Sequence, residues 1–182
     1  MSVPYVVICG LSGSGKTTLI EGLLRELRSC GISVGVIKHT SKDVEFDRRG
    51  KDSWRFGEAG ASSVALVTPG GYAIYRRHAP GASLEQVLRH FEGVDLVLVE
   101  GFKAAQATKI EVTADPSLTG LFCGVDPNLI AVAAPGAVDR ASACGPTSAP
   151  PGAAPCPVFD RDDHAGIAMF IVRKILEERT RT

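Results

Sequence analysis

Three observations predict an α/β fold of three layers, with a mostly parallel sheet flanked by helices. The apolar run Tyr5-Val6-Val7-Ile8-Cys9 passes through a glycine-rich turn directly into an amphipathic helical stretch. Strand-like and helix-like segments then alternate along much of the chain, the pattern of a parallel sheet with crossover helices. Val94 to Val99 is almost continuously apolar, as a strand covered on both faces must be.

Each element follows from its own residues. After the first strand, Leu19, Leu23 and Leu27, with Ile20 and Leu24 beside them, form an apolar stripe on a helix that runs to Cys30, and Gly31 is placed to stop it. Ile32 to Ile37 reads as a second strand. Lys38 to Arg55 is polar, charge-dense and without clear periodicity; a stretch of that length in a compact domain is more often functional than idle. Val64 to Val67 and Tyr72 to Tyr75 flank Thr68-Pro69-Gly70-Gly71 and predict a β-hairpin insertion. Ser83 with Gln86 makes a capping box, and Leu84, Val87, Leu88 and Phe91 line the helical face that follows. Lys109 to Thr113 and Leu129 to Ala133 read as further strands. Residues 134–157 are rich in Ala, Pro and Gly, and Pro135 to Pro157 is expected to be a long mobile loop. Pro157-Val158-Phe159 reads as a short last strand. A helix capped by Asp162 or Asp163 then runs to about Arg179, with Ile167, Phe170, Ile171 and Ile175 on its inner face.

The bulk properties limit the possible functions. A length of 182 residues suits one domain, 1–182, with a sizeable core, and 45% hydrophobic and 22% charged residues are ordinary for a globular chain. The formal net charge is zero, so global electrostatics give no case for nucleic acid or an anionic membrane. Neutrality weakly favours self-association. The five cysteines (Cys9, Cys30, Cys123, Cys144, Cys156) are odd in number and lack C-x-x-C spacing, which argues against a disulfide framework and a zinc site. Neither a secretory signal pattern nor an apolar run of membrane-spanning length is visible, so a cytoplasmic protein is expected.

The segment Gly10-Leu11-Ser12-Gly13-Ser14-Gly15-Lys16-Thr17-Thr18 fits G-x-x-x-x-G-K-[ST] without mismatch, between strand and helix as that motif requires. Glycines let the backbone curl and come close to phosphate, and the turned amides with the helix's first N–H groups make an anion cradle. Lys16 is spaced to reach the β- and γ-phosphates, and Thr17 to give a hydroxyl to Mg²⁺. These residues predict a P-loop NTPase fold and a bound nucleoside triphosphate.

Two more clusters belong at the same edge of the sheet. Glu100-Gly101-Phe102-Lys103 ends the buried strand, and a carboxylate there is suited to a magnesium water shell or to orienting water. Glu100 is preferred over Asp95, which would lie at the opposite edge. Lys38-His39-Thr40 ends the second strand. Asp43, Glu45 and Asp47, at alternate positions, would share one side if extended; they read equally as metal-side acids or as a solvated charge run. Of the four histidines (His39, His78, His90, His164), His39 alone falls beside the phosphate loop.

Taken in order, the glycine loop, Lys38-His39-Thr40, Asp43-x-Glu45-x-Asp47, Gly50-Lys51-Asp52-Ser53 with Ala59-Gly60-Ala61, and Val99-Glu100-Gly101-Phe102-Lys103 with Lys109-Ile110-Glu111 resemble the MobB family of molybdopterin-guanine dinucleotide biosynthesis adaptor proteins. The resemblance covers roughly residues 3–133. It implies a GTP-binding homodimer with slow Mg²⁺-dependent GTPase activity. The implied partner is the guanylyltransferase that attaches GMP to molybdenum-loaded molybdopterin, and the resemblance also implies a molybdopterin-type ligand beside the nucleotide. Lys16, Thr17 and Thr18 would hold phosphate and magnesium. Asp47 and Glu100 would be metal-side acids, with Lys16 and Glu100 serving hydrolysis. Lys38, His39, Lys51, Asp52, Ser53 and Lys103 would line the pocket or a pterin-facing surface. Ser41 and Lys42 stand where the family often has further histidines. Ala134-Pro135-Gly136 stand where many members have a Ser or Thr and an acid, so the resemblance assigns no base-reading residue.

The residues leave three alternatives open: a small-molecule kinase whose Lys38, Arg48, Arg49 and Lys51 clamp an anionic acceptor, a metal-delivery GTPase, and a scaffold that binds nucleotide without turning it over. The four scattered histidines and unpaired cysteines disfavour metal delivery.

Overall fold

The computed structural model describes residues 3–42, 44–45, 47–76, 81–118, 121, 126–136 and 156–177. Asp43, His78, Cys123, Cys144, residues 137–155 of the Ala/Pro/Gly-rich stretch and the last helical turn expected at Arg179 lie outside them. The chain forms two compact units, one of residues 1–39 with 88–182 and one of residues 40–87.

The larger unit holds a six-stranded sheet in the order β2-β5-β1-β6-β7-β8, all neighbours parallel. The strands are β1 (Tyr5–Cys9), β2 (Val34–Lys38), β5 (Leu96–Glu100), β6 (Lys109–Val112), β7 (Leu129–Ala134) and β8 (Val158–Asp160). One face of the sheet carries Val6, Ile8, Leu96, Leu98, Ile110, Val112, Ala131 and Ala133. Their period-2 spacing turns them all to the same side. There they pack with Leu19, Leu23 and Leu27 of α1 (Lys16–Ser29) and Ile167 and Ile171 of α4 (His164–Ile171). The mostly parallel, helix-flanked sheet that the sequence predicts is therefore present.

Helix α1 stops where expected. Gly31, at φ +76°, donates to the Arg28 carbonyl, and Ile32 N donates to the Leu27 carbonyl. That pair of bonds is a Schellman motif and needs a left-handed residue at Gly31. Helix α4 begins on Asp163, whose carboxylate accepts from Gly166 N at 2.9 Å. Its α geometry ends at Ile171 and continues as a π-helix over Val172–Glu177, where an unbroken α-helix was expected. Ile167, Ile171 and Ile175, spaced four apart, stay buried against the core through the change.

Beneath the sheet's other face a lysine is fully buried. Lys109 Nζ donates to Asp126 Oδ2 at 2.6 Å and to the Ala105 carbonyl at 2.5 Å. The ammonium holds the Asp126 carboxyl below its ordinary value of 3.8, helped by the Asn128 backbone N–H.

The smaller unit contains α2 (Asp52–Glu58) and a separate antiparallel hairpin, β3 (Ser63–Thr68) and β4 (Gly71–Arg76), closed through Pro69-Gly70. Helix α2 is absent from the sequence reading. It has two turns and buries only Gly57 within its span, so no apolar period marks it. Leu66, Val67, Tyr72 and Ile74 leave the hairpin with a largely exposed apolar surface. The expected capping box forms at the start of α3 (Leu84–Leu88): Ser83 N donates to Gln86 Oε1, and Gln86 N to Ser83 Oγ.

Candidate functional site

The carboxyl edge of the parallel sheet collects the predicted residues of the larger unit. Gly10 follows β1 at φ +133°, and a Cβ there would run into the Val112 carbonyl oxygen. Gly13 and Gly15 also have positive φ, +78° and +98°, so the loop Leu11-Ser12-Gly13-Ser14-Gly15 takes a backbone path that residues with a Cβ rarely adopt. Gly15 caps α1 without a side-chain hydrogen bond, which leaves the amides of Lys16, Thr17 and Thr18 to an anion rather than to a capping residue.

Lys16 bends back over this loop, donating to the carbonyls of Gly10 (3.1 Å) and Leu11 (2.6 Å). Across from it, β5 ends on Glu100, in register with Ile8 of β1 on one side and Lys38 of β2 on the other. The Lys38 ammonium is 3.2 Å from Glu100 Oε2, and Thr17 Oγ1 donates to the same oxygen at 3.5 Å. Glu100 is thus a mostly buried carboxylate, 14% exposed, between a lysine and the threonine of the phosphate loop. Asp95 is at the other end of the strand, where it accepts from Ser33 N at 2.8 Å.

The turn after Glu100 is strained. Gly101 has φ +98° and Phe102 φ +47°, a region that bulky residues rarely occupy. Phe102 is supported by His39, whose ring centroid is 4.3 Å away, and His39 N donates to the Glu100 carbonyl at 2.8 Å. Lys38-His39 and Glu100-Gly101-Phe102 therefore interlock, with Lys103 following on the surface. Strain of this kind persists only where the surroundings over-determine it, which is common at functional turns.

One residue at this edge has no sequence signal. Arg161, in the turn between β8 and α4, donates from Nη1 to the Ser14 carbonyl at 3.1 Å, and its side chain covers Gly15 so closely that a Cβ there would touch it. The two partners are 147 positions apart, and the bond is made to a backbone carbonyl, which no residue pattern records.

Asp47, Lys51 and Asp52 belong to the smaller unit. Asp47 Oδ1 accepts from Arg48 N at 2.7 Å, Lys51 caps α2, and Asp52 opens it and pairs with Arg55. Beside them a groove of about 350 Å³ is lined by Asp47, Arg49, Ser53, Trp54, Leu66 and Tyr75, among others. Among the described residues, no group of three or more His, Cys, Asp or Glu side chains could hold a metal ion, and no helix is long and apolar enough to cross a membrane.

Residues 5–135 match the family MobB, molybdopterin guanine dinucleotide synthesis protein B. The chain belongs to the MobB family. It is 46% identical over 110 residues to the molybdopterin-guanine dinucleotide biosynthesis adapter protein of Haemophilus influenzae, covering 59% of this chain and 62% of that one. The Escherichia coli protein of the same name is 35% identical over 117 residues, covering 62% and 67%. The match thus spans about two thirds of the length of these curated relatives. The crystal structure of Bacillus subtilis MobB superimposes with a TM-score of 0.69 at 26% identity, covering 94% of this chain and 98% of the other. The MobB chain described here has the P-loop NTPase fold, as its sequence predicts, and the kinase alternative draws no support from the names of these relatives.

Proposed function

We propose that this chain is a GTP-binding adapter of molybdopterin-guanine dinucleotide biosynthesis. In this reading it acts as a homodimer in the cytoplasm and assists the guanylyltransferase that attaches GMP to molybdenum-loaded molybdopterin. The observation that carries the reading is the meeting of the uncapped glycine loop, Lys16, Thr17 and Glu100 at one sheet edge of a MobB chain.

In this reading the amides of residues 13–18 and the Lys16 ammonium bind the phosphates. Mg²⁺ favours hard oxygen donors and keeps most of its shell as water and phosphate, so one hydroxyl and one carboxylate are enough protein ligands. Thr17 Oγ1 and Glu100, already neighbours, fit that requirement. When bound, the ion supplies positive charge against the phosphate oxygens. Glu100 can also orient a water, but its pairing with Lys38 draws the carboxylate away from that task, which suits a slow hydrolase. In the smaller unit, Trp54 and Tyr75 give the groove aromatic walls for a flat pterin, with Ser53 and Arg49 as polar partners. The exposed apolar hairpin is the surface we assign to dimerisation.

Affinity capture from a lysate that contains the guanylyltransferase, together with calorimetry of GTP and ATP, tests the proposal. It expects the transferase to be recovered and GTP to bind more tightly than ATP. Equal affinities with no transferase recovered would contradict it.

A further inference from the structure

We infer that the turn between β8 and α4, Asp160 to Asp163, is the base-reading wall of the nucleotide site, with Arg161 as a platform for the purine and Asp162 as the carboxylate that selects guanine. The inference rests on the nucleotide-binding reading above and adds the part of the site that the glycine loop does not supply.

The order of the sheet gives the direction. Thr17 and Glu100, the groups suited to the metal at the γ-phosphate end, lie on the β5–β2 side of β1. A nucleotide whose phosphates occupy the loop after β1 therefore carries its nucleoside toward the opposite side, over β6, β7 and β8. On that side β7 ends in Ala134-Pro135-Gly136, which offers no side-chain donor or acceptor to a base. Among the described residues, the next turn along the sheet edge is the one after β8. It is tied to the end of β7, because Arg161 N donates to the Ala134 carbonyl at 2.9 Å.

Arg161 spans from there to the phosphate loop. Its guanidinium is held by the Ser14 carbonyl and lies over Gly15, just outside the point where α1 begins. A planar cation in that place presents a face to an aromatic ring leaving the loop. The carboxylates of the turn have different duties. Asp163 caps α4, and Asp160 Oδ1 accepts from Asp162 N at 3.0 Å. Asp162 is 74% exposed, and among the described residues its carboxylate has one contact, 3.9 Å from Arg161 Nε. It is the carboxylate left to accept from two parallel donors, as guanine presents at N1–H and the 2-amino group and adenine does not.

The test compares Mg²⁺-GTP, Mg²⁺-ATP and Mg²⁺-tripolyphosphate by calorimetry on the full chain and on Arg161→Ala and Asp162→Asn, with circular dichroism to verify folding. Tripolyphosphate has no base and reports the loop alone. Arg161→Ala should weaken GTP about tenfold and tripolyphosphate by less than about twofold. Asp162→Asn should lower the GTP/ATP affinity ratio by about tenfold and leave tripolyphosphate unchanged. If Arg161→Ala weakens GTP and tripolyphosphate equally, Arg161 only braces the loop and the inference falls. An unaltered GTP/ATP ratio in Asp162→Asn, a folded surface variant, overturns the assignment of guanine reading. Failure of the unaltered chain to bind any of the three would instead overturn the nucleotide reading itself.

Discussion

Replacing Asp126 by alanine removes the carboxylate from a lysine that has no water to fall back on. The Lys109 side chain is fully buried, whereas that of Asp126 is 22% exposed. After Asp126→Ala, the ammonium keeps one acceptor among the described residues, the Ala105 carbonyl. Breaking a buried pair from one side in this way costs about 3–5 kcal/mol. At roughly 2–4 °C per kcal/mol for a chain of this size, the melting temperature should drop by about 6–20 °C. The reverse change, Lys109→Met, leaves Asp126 able to hydrate and should cost less, about 1–2 kcal/mol. Adding Asp126→Ala to Lys109→Met should then cost little more, because the stranded charge is gone. The pH dependence has a definite sign. The folded-state pKa of Asp126 lies below its ordinary 3.8, so its contribution to stability is whole above that value and is lost as pH falls through the depressed one. The deficit of Asp126→Ala should therefore shrink in acid. Thermal and urea melts of the three variants between pH 3 and 7 measure this. A shift in Asp126→Ala below about 2 °C, or a larger loss in Lys109→Met than in Asp126→Ala, would refute the reasoning.

Three further outcomes are expected. Gly15→Ala forces an alanine to φ +98° beneath Arg161 and should cost about 1–2 kcal/mol in a urea melt, with weaker binding of any triphosphate. In the proposed dimer, Tyr72→Asp puts a charge on the exposed hairpin surface and should halve the mass seen by light scattering; an unchanged mass would remove the hairpin from the proposed interface. On the proposed function, Glu100→Gln should weaken the Mg²⁺ dependence of GTP binding by about tenfold and abolish the proposed slow hydrolysis, read by phosphate release, while Lys38→Met should raise that hydrolysis by freeing the carboxylate.

Local chemistry made much of the fold legible. Gly31 announced the end of α1, because a Schellman motif needs a left-handed residue there. Ser83 and Gln86 announced α3 through a reciprocal pair of bonds that few other residues can make. The run ending at Glu100 announced the strand edge because a carboxylate closes an otherwise apolar run. What was not legible depended on partners distant in sequence or on elements too short to repeat. Helix α2 buries one glycine within its span and has no period to detect. Lys109 reads as an ordinary strand residue until Asp126, 17 positions later, folds back to it. Arg161 meets a backbone carbonyl across most of the chain. Phe102 takes its left-handed conformation beside the His39 ring, a contact that sequence spacing does not show.

The most direct measurement is a calorimetric titration of GTP and of ATP, each with Mg²⁺, into the unaltered chain and into Lys16→Ala. Lys16 bonds only to its own loop among the described residues, so the variant should melt within about 2 °C of the parent. The account predicts that the parent binds GTP at least about tenfold more tightly than ATP, and that Lys16→Ala binds neither. Undiminished GTP binding by Lys16→Ala, or equal affinity of the parent for the two nucleotides, would contradict it.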